Sequence, residues 1–222
     1  MTADQMPSVA GIVERIRLLG LIPVVELDSL ASADALLEAL SAAGLPAAEI
    51  TLRTSAGLKA LAHLRQVYPE ALVGAGTVRS TTDARRVIDA GAQFVASPAT
   101  NPEVIRACLD SGVAVIPGAS SPTEIDVAVR FGAPLVKFFP AEALGGVTFL
   151  RALAGPFPDV AFVPTGGVNV SNLADYLGVS QVAACGGSWI VARGLLEERR
   201  FDRIEELTRS AVDIVAQVRG SH

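Results

Sequence analysis

Lysine is almost missing from this sequence: of 18 Lys plus Arg residues, only Lys59 and Lys137 are lysines. Cysteine and histidine are equally scarce, with two of each. Cys108 and Cys185 form no spacing motif, which excludes a disulfide framework and points to reduced thiols in a cytoplasmic protein. His63 and His222 lie far apart, so no His-rich metal site is expected. No apolar run approaches the roughly 20 residues of a membrane helix. Asp4 comes early and no cationic stretch precedes it, so neither a signal peptide nor a membrane partner is expected. Positive charge is not in excess, and a net charge of −5 argues against nucleic acid as a partner. The Gly-Ser-His tail ending at His222 is expected to be disordered or foreign to the natural chain.

What the chain does have is aliphatic material in short pieces. Half of it is hydrophobic, and the mean hydropathy is +0.45. That suits a parallel sheet buried on both faces. A length of 222 residues fits one domain spanning 1–222. Val9, Ile12, Val13, Ile16 and Leu19 fall at helical spacing and predict an N-terminal helix. Strand-like runs follow at 21–27, 48–54, 71–78, 92–98, 112–118, 134–140, 160–167 and 181–189. Helical patterns over 32–43, 55–68, 81–90, 101–111, 122–131, 146–154, 171–177, 193–196 and 201–218 come between and after them. This even alternation predicts α/β architecture, a (β/α)8 TIM barrel. A doubly wound open sheet is the rival, but LIPVVELDSL carries no Gly-rich phosphate loop after the first run.

Lys137 stands in the most apolar of these runs, among Leu135, Val136, Phe138 and Phe139. Burying an ammonium is costly unless it is paired or loses its proton. A desolvated lysine can lose its proton and condense with a carbonyl, and arginine can do neither. The functional reading is a Schiff-base lysine; the bland one is a buried stem whose head reaches water at the strand end. In a barrel, catalytic groups gather at strand C-terminal ends and inward side chains alternate. Glu49, Thr51 and Arg53 share one parity and are expected to face the lumen. Glu49 and Arg53 would then pair, with Arg53 also near Lys137. Thr77 follows Gly74 and Gly76, which allow close approach of a ligand or backbone. Two glycine turns, Gly166–Gly167 after Thr165 and Gly186–Gly187 before Ser188, end the last two runs and lead into helices. Free amides at such places suit a phosphate.

EITLRT, VGAGTV, GAQFVASP, VKFFPAE, PTGG and GGSW occur in that order, and on them the chain resembles the 2-keto-3-deoxy-6-phosphogluconate (KDPG) and 4-hydroxy-2-oxoglutarate (KHG) aldolases. The resemblance implies a class I aldolase of the Entner–Doudoroff type. It implies Lys137 as the Schiff base and Glu49 as general acid and base. Arg53 and Thr77 would hold the keto-acid carboxylate, with Pro98 lining the site. Gly166, Gly167 and Ser188 would hold the phosphate; Thr165, Gly186 and Gly187, from the reading of the two glycine turns, are expected to bind substrate with them. No cofactor or metal is implied, the ligand is a small phosphorylated keto acid, and the assembly is a homotrimer. Ala99 stands where many relatives carry glycine, which bears on the loop after the fourth strand. A phosphosugar isomerase or epimerase without a covalent intermediate, or a non-catalytic sugar-phosphate binder, are the rival functions.

Overall fold

A computed structural model describes residues 8–220; Asp4, Ser221 and His222 lie outside the described residues. The N-terminal helix α1 (Val9–Leu19) begins at Ser8, whose side chain accepts the Gly11 amide at 3.2 Å. It ends at Gly20, where φ is +67°, a left-handed cap that glycine adopts without steric cost. Ile12 and Ile16 of α1 are buried.

The strands are short and parallel. They are β1 (Leu21–Val25), β2 (Ala47–Thr51), β3 (Leu72–Gly76), β4 (Phe94–Ala96), β5 (Ala114–Ile116), β6 (Gly118–Ala119), β7 (Lys137–Phe138) and β8 (Cys185–Gly187). One sheet runs β5-β4-β3-β2-β1-β8, and β6 pairs with β7. Single bridges complete the ring, Val136 to Phe162, Phe162 to Val182 and Thr165 to Gly186. Because β8 also pairs with β1, Leu21 opposite Cys185, the sheet closes on itself. That is a barrel, and the open doubly wound sheet is excluded.

Prolines account for the breaks in the predicted fifth, sixth and seventh strands; the predicted eighth, which holds none, narrows to Cys185–Gly187. β5 and β6 are the two halves of the predicted fifth strand, broken at Pro117. The predicted sixth strand shrinks to Lys137–Phe138 between Pro134 and Pro140, and the predicted seventh contributes only bridges around Pro164. Proline has no N–H to give to a ladder. The segments nevertheless stay in place: the Lys137 amide donates to the Pro117 carbonyl at 2.8 Å and the Thr165 amide to the Phe138 carbonyl at 2.9 Å.

The outer layer is helical: α2 (Ala33–Ala42), α3 (Gly57–Val67), α4 (Thr81–Asp89), α5 (Pro102–Asp110), α6 (Pro122–Arg130), α7 (Gly146–Ala154), α8 (Leu173–Leu177), α9 (Arg193–Glu197) and α10 (Phe201–Gly220). Their starts follow from sequence. Ser80, Asn101 and Ser121 cap α4, α5 and α6 with side-chain acceptors, and proline opens the latter two. The helices turn apolar stripes inward; Leu61 and Leu64 of α3 and Val104 and Ile105 of α5 are essentially inaccessible, and α10 packs on α2 and α8. Both cysteines are free and buried. Burial pushes the Cys108 thiol up to about 12.

Candidate active site

Strand parity sets up the site. Glu49 and Lys137 lie on β2 and β7, which are not neighbours in the ring. Their side chains still meet, Lys137 Nζ to Glu49 Oε1 at 3.2 Å. The contact therefore crosses the barrel lumen. The side chains are only 7% and 4% exposed, so this is a buried ion pair and not a surface contact. Such a pair stabilises little in net, because desolvating both charges offsets their attraction. Lys137 Nζ also stands 5.6 Å from the centroid of the Phe139 ring.

Space for this pair is cut into the neighbouring strand. A Cβ on Gly76 would lie 2.3 Å from Glu49 Oε1, and one on Gly74 would lie 2.5 Å from the Phe94 ring. Both glycines are thus fixed by packing in the lumen. Thr77, the next residue, has φ +63°. A β-branched residue in this left-handed region is strained.

Above the pair is a cavity of about 390 Å³. Thr51, Arg53, Phe139 and Thr165 line it, and so do Gly166, Gly167, Gly186, Gly187 and Ser188. The two predicted glycine turns therefore converge on one space. Gly186 has no room for a side chain, because its Cβ would meet Thr165 Oγ1 at 2.3 Å. Ser188 is exposed, with its side chain at the mouth. Thr77 lies in an adjoining cleft that shares Arg53. Pro98 lines neither space; its carbonyl packs on Gly118, the register partner of Lys137. Ala99 is exposed, and the loop around it is held by Ser97 Oγ, which accepts the Ala99 amide, and by Thr100 Oγ1, which donates to the Gly118 carbonyl at 2.7 Å. The alanine costs this loop no bond.

The expected partner of Glu49 is also corrected. Arg53 does not pair with Glu49. Its guanidinium reaches Glu26 Oε2 at 3.3 Å, and its side chain is 54% exposed. Arg53 lies beyond the end of β2, so it emerges at the rim. Glu26 stands just past the end of β1, which runs beside β2 with Val24 opposite Glu49. Lys137 takes the place at Glu49 that Arg53 was expected to hold.

The sequence reading missed several residues around the cavity. Glu26 also lies 3.6 Å from Arg193, which in turn pairs with Asp28 at 3.0 Å and Glu197 at 2.8 Å. Glu26 and Arg193 both line the cavity. Glu142, the last residue of VKFFPAE, accepts a short hydrogen bond from Tyr176. Burial and that carboxylate together raise the Tyr176 phenol well above its ordinary value. The Glu142 amide donates to the Gly166 carbonyl at 3.0 Å, so this pair braces the first glycine turn. Asn169 and Asn172 donate to the Gly167 carbonyl at 2.9 and 3.2 Å. The NVSN spacing was the one visible signal for these, since such residues cap turns. Among the described residues, no group of three or more His, Cys, Asp or Glu side chains could hold a metal ion. No described helix is long and apolar enough to cross a membrane.

Fold and site together define a class, the (β/α)8 barrels that carry a buried lysine–carboxylate pair beneath a cavity lined by two glycine turns. A family model of aldolases, described as KDPG and KHG aldolase, matches residues 12–207, and the chain belongs to that family. It is 45% identical over 202 residues to a 2-dehydro-3-deoxy-phosphogluconate aldolase of Treponema pallidum, covering 91% of this chain and 95% of that one. It is 39% identical over 204 residues to the Haemophilus influenzae protein of the same name, covering 92% and 96%. Among solved structures it matches KDPG aldolase of Legionella pneumophila, captured with pyruvate as a covalent carbinolamine intermediate. There the TM-score is 0.87 at 38% identity, covering 90% of this chain and 97% of that one.

Proposed function

We propose that this protein is a lysine-dependent, class I aldolase that cleaves KDPG to pyruvate and glyceraldehyde 3-phosphate. Cleavage of KHG to pyruvate and glyoxylate is the second reaction of the same site. The observation that carries the reading is the buried contact between Lys137 and Glu49. Lys137 passes a proton to Glu49 and its free amine attacks the C2 ketone. Glu49 returns the proton as the carbinolamine loses water, leaving a protonated imine that withdraws electrons from C3. Glu49, now a carboxylate, removes the C4 hydroxyl proton, through water where the hydroxyl lies out of its reach. The C3–C4 bond breaks, its electrons pass to the imine as an enamine, and the aldehyde leaves. Protonation at C3 and hydrolysis then release pyruvate.

Arg53, on leaving Glu26, would take the C1 carboxylate with its guanidinium fork, Thr77 standing in the adjoining cleft. The Gly166–Gly167 and Gly186–Gly187 turns with Ser188 would hold the phosphate, using binding energy far from the reacting bond to orient it. An isomerase using Glu49 alone has no need of a buried lysine beside its base, and it is not favoured. One barrel over residues 1–222, cytoplasmic residence and a homotrimer accompany this reading. Sedimentation velocity checks the last, with the mass of three chains expected and that of one chain contradicting it.

The test of the substrate class is kcat/KM on both acids, with and without Ser188. Ser188→Ala is expected to weaken the phosphorylated substrate by roughly 1.5–3 kcal/mol, the worth of a hydrogen bond to a charged group. Activity on KHG should stay near that of the parent. An equal loss on both acids would remove Ser188 from the phosphate site.

A further inference from the structure

Thr51 is the last residue of β2 and is 1% exposed. Its Oγ1 is wholly buried and has no hydrogen-bond partner among the described residues. Leaving a buried hydroxyl unpaired is unfavourable, and valine would fill the same volume without that cost. Thr51 is nevertheless one of the residues around the cavity, with its hydroxyl just beneath the cavity surface. Its register partner on β3 is Gly76, which has no side chain to receive the hydroxyl. Trp189 Nε1 is likewise unpaired, but it stands next to Ser188 at the phosphate end.

We propose that Thr51 Oγ1 holds the oxygen expelled from substrate C2 as the imine forms. The inference rests on the Schiff-base reading above. Same-face residues on a strand follow at roughly 6.6–6.8 Å. Along β2 and its extension, Glu49 is therefore the deepest group, Thr51 the next and Arg53 the outermost. Glu49 meets the amine at 3.2 Å. Arg53 is the group assigned to the C1 carboxylate. C2 is bonded to both the lysine nitrogen and C1, so with the amine beside Glu49 and the carboxylate at Arg53 the oxygen on C2 would project at the level of Thr51. In the step itself the C2–O bond breaks and the nitrogen lone pair forms C=N. Glu49 supplies the proton, and the oxygen leaves as water. Thr51 keeps its own proton and donates a hydrogen bond to that oxygen throughout.

The experiment compares Thr51→Val and Thr51→Ser with the parent enzyme. Pyruvate is added, borohydride quenches at timed intervals, and the adduct on Lys137 is counted. Thr51→Val is expected to slow adduct formation and kcat by roughly tenfold, the effect of one lost hydrogen bond in the transition state. KM should change little, and Thr51→Ser should recover most of the rate. The melting temperature of Thr51→Val should equal or exceed the parent's, because no protein bond is lost. A merely structural threonine would give the reverse, a lower melting temperature with normal trapping, and that result overturns the proposal. A raised KM with unchanged trapping rate also overturns it, reassigning the hydroxyl to the carboxylate. If the parent enzyme itself traps no pyruvate, it is the Schiff-base reading that fails.

Discussion

Lys137→Arg is expected to reduce aldol cleavage to background, a larger loss than any other single substitution in this chain should cause. The replacement keeps the positive charge, and a guanidinium can still pair with Glu49 across the lumen. It cannot release a proton near neutral pH or condense with a ketone. The variant therefore separates charge from nucleophilicity. Its fold should persist, because the buried carboxylate keeps a partner; a buried charge left alone would cost about 3–5 kcal/mol. Circular dichroism and thermal melting check the fold while a pyruvate-release assay checks turnover. Appreciable turnover in a folded Lys137→Arg protein would place the chemistry elsewhere.

Glu49→Gln should be the second largest effect. The amide keeps the shape and can accept a hydrogen bond from Lys137, but it neither accepts nor returns the proton. Loss of general acid–base help lowers kcat by roughly 10²–10⁴. Lys137 is then left without its counter-ion at 3.2 Å. The glutamine amide oxygen still accepts a hydrogen bond from Lys137, and circular dichroism should show the fold retained. Imine formation should slow along with cleavage, since both need proton transfer to or from the same carboxylate. Turnover close to that of the parent would hand the proton shuttle to another group.

The architecture was legible because each unit is locally consistent. α4 and α6 begin at Thr81 and Pro122 as expected, where Ser80 and Ser121 cap them. The later strands were drawn too long, because an apolar run such as PLVKFFP does not reveal how few of its residues still have a partner. Lys137 and Glu49 were legible too, one as the odd lysine in an apolar run, the other by strand parity. Their contact was not. It joins residues 88 positions apart across the lumen and depends on the glycine at 76 leaving room. The Arg53–Glu26 pair was hidden for a related reason. Parity tells which face a residue takes, but not that a long side chain past a strand end will turn to the adjacent strand. The Glu142–Tyr176 brace lies outside any local pattern.

The covalent role of Lys137 is tested most directly by pyruvate and borohydride without any aldehyde present. Pyruvate should condense with the amine, and reduction should fix the imine as a stable secondary amine. Peptide mass mapping is then expected to find the added mass on Lys137 and not on Lys59, which is exposed on α3. Activity should fall in step with the adduct. An enzyme that remains active with Lys137 unmodified after this treatment would contradict the Schiff-base account.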